Sequence, residues 1–226
     1  VETWQVVLAV VMGLGTAVIL LGGFWDRERR LRHQRAATLP PERPIPGLAS
    51  DAAPPNYLDR ASAMRTPEGA PSLALADPAR AVLRSRIAAS TAVEAGLLSD
   101  AFVTDPETGW AVADDALVVV CSERVDTVRE LLAVLESAVS EERPLVVVAP
   151  QLLPEVRATL EVNQTRRTLR LIAVTADHER LYRLAELSGA TPLERHDLQA
   201  GYAPAAALGG ARTWVSSARQ TWVLND

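Results

Sequence analysis

Apolar and polar positions along this chain fall into three regimes. Residues 4–25 form an uncharged apolar run bounded by Trp4 and Trp25. At about 1.5 Å per residue, ~20 residues cross a hydrocarbon core of about 30 Å. Residues 1–25 are therefore expected to form a transmembrane anchor with an indole at each interface. Residues 26–76 show no apolar periodicity, and eight of the fifteen prolines lie between residues 36 and 76. Proline removes a backbone donor and blocks helix, so this stretch reads as a basic flank followed by a Pro-rich linker. Residues 77–95 read as a connecting helix. Asp77-Pro78 is a helix start, with Asp as N-cap and Pro as the first helical residue. Ala79, Val82, Leu83 and Ile87 follow at helical spacing, with Arg80, Arg84 and Arg86 on the other side.

Residues 96–226 carry the pattern of an α/β domain. Residues 116–121, 145–149 and 169–174 are short apolar runs rich in Val, Leu and Ile, as strands buried on both faces require. Helical patterns alternate with them. Asp126 is placed as the cap of a helix reaching Ser140, with Val128, Leu131, Leu132, Leu135 and Val139 apolar. Pro154 opens a second helix to about Gln164. A third runs from Asp177 to Ser188 and stops at Gly189, which adopts the left-handed cap conformation easily. Residues 212–216 and 220–224 are expected to form a closing hairpin, where Trp214 and Trp222 would face each other. Asp114-Asp115 reads as turn chemistry.

Seven short motifs in this region stand in a fixed order. They begin with Gly96-Leu97-Leu98-Ser99, Pro106-Glu107-Thr108-Gly109 and Arg129-Glu130-Leu131-Leu132 followed by Val134-Leu135-Glu136. Arg143-Pro144-Leu145 comes next, then Ala158-Thr159-Leu160 with Val162-Asn163. Leu187-Ser188-Gly189-Ala190-Thr191 and Leu208-Gly209 with Arg212 complete the series. Together they resemble the apical domain of bacterial group I (GroEL-like) chaperonins. The resemblance implies a swivelling β/β/α domain that binds non-native polypeptide in a groove between two helices, here residues 125–140 and 154–164. Phe102, Leu132, Leu135, Val156 and Leu160 would supply apolar contact. Arg157 and Glu161 stand where the family is apolar, and Leu97 and Ala101 stand where it is aromatic. A charge in an apolar groove costs desolvation, so Arg157 and Glu161 would narrow the groove to a matched peptide. The loop after Val174 is shorter than the family's. The linker segments Ile45-Pro46-Gly47-Leu48 and Leu73-Ala74-Leu75 are candidates to fill the groove as a built-in pseudo-ligand.

The family's equatorial ATPase domain is not expected in a chain of 226 residues, and no Gly-x-x-x-x-Gly-Lys-Ser loop is present. Neither nucleotide nor any other cofactor is expected. Net charge is -5, and all 23 basic residues other than histidine are Arg, so no nucleic-acid footprint is expected. One cysteine, Cys121, fits a buried core thiol in a reducing compartment. His33, His178 and His196 have no metal-ligand spacing, and no nucleophile and base are paired; the chain reads as a non-enzyme without a metal.

Before the apolar run stands only Val1-Glu2-Thr3, and after it come Arg27, Arg29, Arg30, Arg32 and Arg35. That asymmetry predicts an uncleaved single-pass anchor in the cell (inner or plasma) membrane, N-terminus outside and domain cytoplasmic, with the arginines near membrane lipid. Ala9, Gly13 and Ala17 put small residues on one face, where another transmembrane helix would pack. Two functions fit: an ATP-independent, chaperone-like protein- or peptide-binding module, and a non-catalytic accessory or structural subunit of a larger membrane protein complex.

Overall fold

The computed structural model describes residues 60–225 continuously, with Trp4, Met12, Gly15, Thr16, Gly22, Gly23, Trp25, Arg27 and Glu28 before them. The chain divides into two units, Val1–Ala63 and Met64–Asp226. Among the described residues no helix is long and apolar enough to cross a membrane. Most of the run 4–25, with Ala9, Gly13 and Ala17, lies outside the described residues, as do Ile45 and Leu48.

In the second unit the apolar runs become the centre of a six-stranded sheet. Its strands are β1 (Gly96–Leu97), β2 (Ala111–Val120), β3 (Leu145–Ala149), β4 (Leu171–Thr175), β5 (Gly209–Ser216) and β6 (Thr221–Leu224). The order is β1-β4-β3-β2-β5-β6. β2, β3 and β4 are parallel neighbours, and the other pairings are antiparallel. Parallel neighbours need long crossovers. α2 (Leu132–Ser140) lies between β2 and β3 in the chain, and α3 (Pro154–Thr165) between β3 and β4. The remaining helices are α1 (Asp77–Ala89), α4 (His178–Ser188) and α5 (Arg195–Gln199).

Because successive strand residues point to opposite faces, each central strand feeds two cores. Val119, Val147 and Ala173 join one core with Phe102, Leu131, Val134, Val156 and Leu160. Val118, Val148 and Val174 join the other with Leu181 and Leu184 of α4. The alternation breaks within β2. Asp115 has φ +51, and Ala113 and Ala116 consequently share one core although they are three residues apart. Asp114-Asp115 is therefore a bend inside a strand, not a turn between elements. Asp114 stays in register with Thr213 and accepts its hydroxyl at 2.9 Å. Beyond the bend a third cluster forms around Val215, Trp222 and Leu224, covered by Leu83 of α1.

The hairpin of β5 and β6 forms as expected, but Trp214 and Trp222 do not face each other. Trp214 pairs with Val223 and Trp222 with Val215, so the two indoles occupy opposite faces and different clusters. The hairpin loop closes against the opening turn: Leu97 N–H donates to Ser217 O at 2.9 Å. Gly96 is required there, because a Cβ would lie 2.2 Å from Ala218 O.

Helix ends follow local chemistry to different degrees. α4 matches expectation, with the Asp177 carboxylate accepting Arg180 N–H at 3.0 Å and Gly189 at φ 69 as C-cap. α1 begins one residue earlier than expected, with Ala76 as N-cap. The expected Asp126 cap is absent. Val128–Leu131 is a 3-10 turn with Thr127 before it, and Asp126 N–H instead donates to Glu130 Oε2 at 2.9 Å.

Candidate functional site

α2 and α3 cover the same face of the sheet, and their sequences divide inward from outward positions at helical spacing. On α2, Val134 and Ala138 are buried, Leu135 is half-buried, and Leu132 and Val139 are 49% and 57% exposed. On α3, Val156, Leu160 and Gln164 are buried, four residues apart, and Arg157 and Ala158 face solvent.

Phe102, Val156 and Leu160 are fully buried, in one core with Leu131 and Leu152. Their apolar surface holds the helices to the sheet and is not presented to a peptide. Of the residues assigned to apolar contact, Leu132 and Leu135 alone reach the surface.

Arg157 and Glu161 do pair across one turn of α3. Arg157 Nε donates to Glu161 Oε1 at 2.7 Å, and Ser99 Oγ donates to the same oxygen at 2.5 Å. The Glu161 side chain is 13% exposed and that of Arg157 46%. The carboxylate is thus held between the opening loop and α3, while the guanidinium remains available to a charged partner.

The cavities do not run between α2 and α3 alone. Leu132 lines a cavity of about 190 Å³ with Arg129, Glu136, Gln199 and Gly201, on the side of α2 that faces α5. Val139 lines another, of about 340 Å³, with Pro71, Leu73 and Leu169 at the far end of the helix. Leu73 therefore lies against the body of the domain at the C-terminal ends of the helices, away from Leu132. Leu75 packs on the cluster of Val215 and Trp222.

One constellation was hidden in the sequence. Arg80, read as an outward residue of α1, is buried. Its Nε and Nη2 donate to the two carboxylate oxygens of Asp105, both at 3.1 Å. Nη1 pairs with Asp77 at 2.6 Å and with Glu107 at 2.7 Å, and Nη2 also donates to Leu75 O at 2.9 Å. Thr108 Oγ1 donates to Asp105 Oδ2 at 2.6 Å. The Arg80 hydrogen bond, helped by that of Thr108, holds the Asp105 carboxyl below its ordinary value of 3.8 against the opposing effect of burial. The Pro106-Glu107-Thr108-Gly109 turn, closed by Gly109 at φ 69, thus receives α1. The only signal in the sequence was an Asp next to a Pro-Glu-Thr-Gly loop, with no indication of its partner 25 residues earlier.

Cys121 is buried, and loss of solvent, then the charge of Glu130, push its thiol up to about 12. That thiol is not a nucleophile at neutral pH. His178 packs against Tyr182 with the rings tilted by 57° and their centroids 4.6 Å apart. His196 lies beside Glu194 and Asp197 at 3.2 and 3.3 Å on the surface. Among the described residues no group of three His, Cys, Asp or Glu side chains is placed to hold a metal ion.

No family model matches the chain. Over 79 residues it is 44% identical to Chaperonin GroEL 1 of Mycobacterium leprae (strain TN), a match covering 35% of this chain and 15% of that protein. The match thus spans about 15% of the length of the curated relative. The partial similarity and the mixed α/β sheet support a chaperonin-like domain in this chain.

Proposed function

We propose that the chain is a membrane-anchored, ATP-independent polypeptide-binding module of the chaperonin apical type, with its domain facing the cytoplasm. The observation that carries the reading is Leu132: a large apolar residue, half exposed on α2, within the motif Arg129-Glu130-Leu131-Leu132. Leu135, half-buried one turn on, extends the apolar surface. Burying such surface yields about 25 cal/mol per Å², so binding is modest and reverses without nucleotide. The run 4–25 and the arginines after it support the membrane anchor and its orientation. The test is the affinity of the full chain for a permanently unfolded polypeptide, measured by fluorescence anisotropy. Leu132→Asp with Leu135→Asp is expected to weaken binding at least tenfold, measured at a temperature where the variant is folded, because Leu135 packs partly on the core. Unchanged binding by the folded double variant removes this reading.

The closed arrangement of Ser99, Glu161 and Arg157 favours a second reading. With Phe102, Val156 and Leu160 in the core, α3 offers charge and not an apolar wall. Such a surface suits one fixed protein partner, as in a non-catalytic accessory subunit of a membrane complex. Isolation from the native membrane in mild detergent separates the two. A fixed set of proteins at integer ratios supports the subunit, and a substoichiometric mixture of unrelated polypeptides supports the binding module.

A further inference from the structure

The C-terminal ends of α2 and α3 meet the segment around Leu73 at the cavity of about 340 Å³. Its apolar lining comes from Leu73, Ala138, Val139 and Leu169. Its charged lining is Arg143, Arg167 and Arg170 against a single carboxylate, Glu142. These arginines are not equivalent. Arg143 is committed, donating to Asp115 and to the carbonyl of Ala116 and pairing with Glu141. Arg167 and Arg170 have no carboxylate within ion-pair distance among the described residues. Arg167 Nε is enclosed and has no hydrogen-bond acceptor among the described residues. An enclosed guanidinium nitrogen without an acceptor is costly.

The backbone at Arg167 is left-handed as well. Arg167 has φ +58, just past the C-terminal cap of α3. At the end of α4 the left-handed position is filled by Gly189, at φ 69. Glycine takes this conformation without strain, and arginine does not. The same left-handed position past α2 is filled by Glu142, at φ +55, so the conformation is shared by both helix ends, and it is the enclosed Nε of Arg167 that points to a ligand the side chain serves. Carbonyls at the two helix ends would repel an anion if free, but most of them are engaged. Arg143 N–H donates to Ala138 O at 3.1 Å and Thr168 N–H to Asn163 O at 3.1 Å. Glu142 and Arg167 N–H donate to Val139 O and Gln164 O, each at 3.2 Å.

We propose that this cavity binds a phosphoryl group carried on a short apolar body, the chemistry of an anionic lipid head with its first methylenes. Arg167 and Arg170 are the cationic contacts, since guanidinium forks match phosphate oxygens, and the leucines and Val139 take the apolar part. The site is separate from Leu132 and stands or falls independently of polypeptide binding.

Calorimetric titration of the full chain with hexyl phosphate, inorganic phosphate and hexanol tests it. Hexyl phosphate is expected to bind, inorganic phosphate at least tenfold more weakly, and hexanol not at all. Arg170→Gln and Arg167→Gly are each expected to weaken hexyl phosphate at least tenfold, and Arg167→Gly to leave Tm unchanged or raised. Binding by Arg170→Gln equal to the wild type, or hexanol binding as tightly as hexyl phosphate, overturns the anion site. Inorganic phosphate binding as tightly as hexyl phosphate overturns the lipid-like ligand in favour of a free phosphate.

Discussion

α2 and α3 lie side by side on one sheet face and bury similar side chains, yet they treat solvent in opposite ways. α2 leaves Leu132 and Val139 exposed. α3 buries Val156 and Leu160 and shows solvent an arginine paired to a carboxylate. The inward stripes are alike because both helices must cover the same β3 and β4. The outward stripes are free of that demand, so they are where the proposed function would act. The difference locates any apolar contact on α2 and any charge selection on α3.

The comparison breaks most decisively at Leu160. If it is core, Leu160→Ala lowers stability by about 2–5 kcal/mol, read from denaturant unfolding. A loss below about 1 kcal/mol would return Leu160 to the surface and restore α3 as an apolar wall.

The next effect calibrates both helices against the buried pair at Asp105. Its carboxyl is lowered in the fold, so its stabilisation is fully present above the ordinary value of 3.8 and fades as pH falls through the lowered folded value. Tm is expected to drop below about pH 4, and Asp105→Asn to lower Tm at neutral pH and flatten that acid limb. An acid limb unchanged in the variant would assign it to other carboxylates.

A sharper comparison converts α3 into α2. Arg157→Leu with Glu161→Val is expected to tighten binding of an apolar unfolded polypeptide about tenfold, or ~1.4 kcal/mol. Unchanged affinity would place the binding surface on the α5 side of α2, beside Gln199 and Gly201. The smallest effect is Arg157→Ala alone. A helix pair one turn apart, here with its guanidinium half exposed, is worth about 0.3–0.5 kcal/mol, and a double-mutant cycle with Glu161→Ala should return that coupling.

Much of this arrangement was legible in the sequence, for identifiable reasons. Residues 145–149 announce a strand because a run buried on both faces cannot alternate. α4 announces both its ends because its caps are local, Asp177 at one and Gly189 at the other. What failed depends on partners distant in the chain. The apolar stripe of α3 is visible at helical spacing, but whether it faces sheet or peptide depends on where β3 and β4 run. Trp214 and Trp222 depend on a register that adjacency does not reveal. The first half of β2 was obscured by Asp114-Asp115, a turn pair that here bends a strand and takes Thr213 as partner. Arg80 looks like a solvated helix residue until Asp105 is brought to it.

That clasp has a mechanical consequence. The chain enters the domain through Leu73, Leu75 and α1, so a pull from the amino-terminal side reaches α1 before it reaches any strand. α1 is fastened by the two-pronged contact of Arg80 to Asp105, with Glu107 and Leu75 O on the same guanidinium. The sheet beyond is knit by ladders of backbone bonds between neighbouring strands. Under load the clasp is expected to open first, α1 peeling away as a unit while the strands, α2 and α3 remain folded.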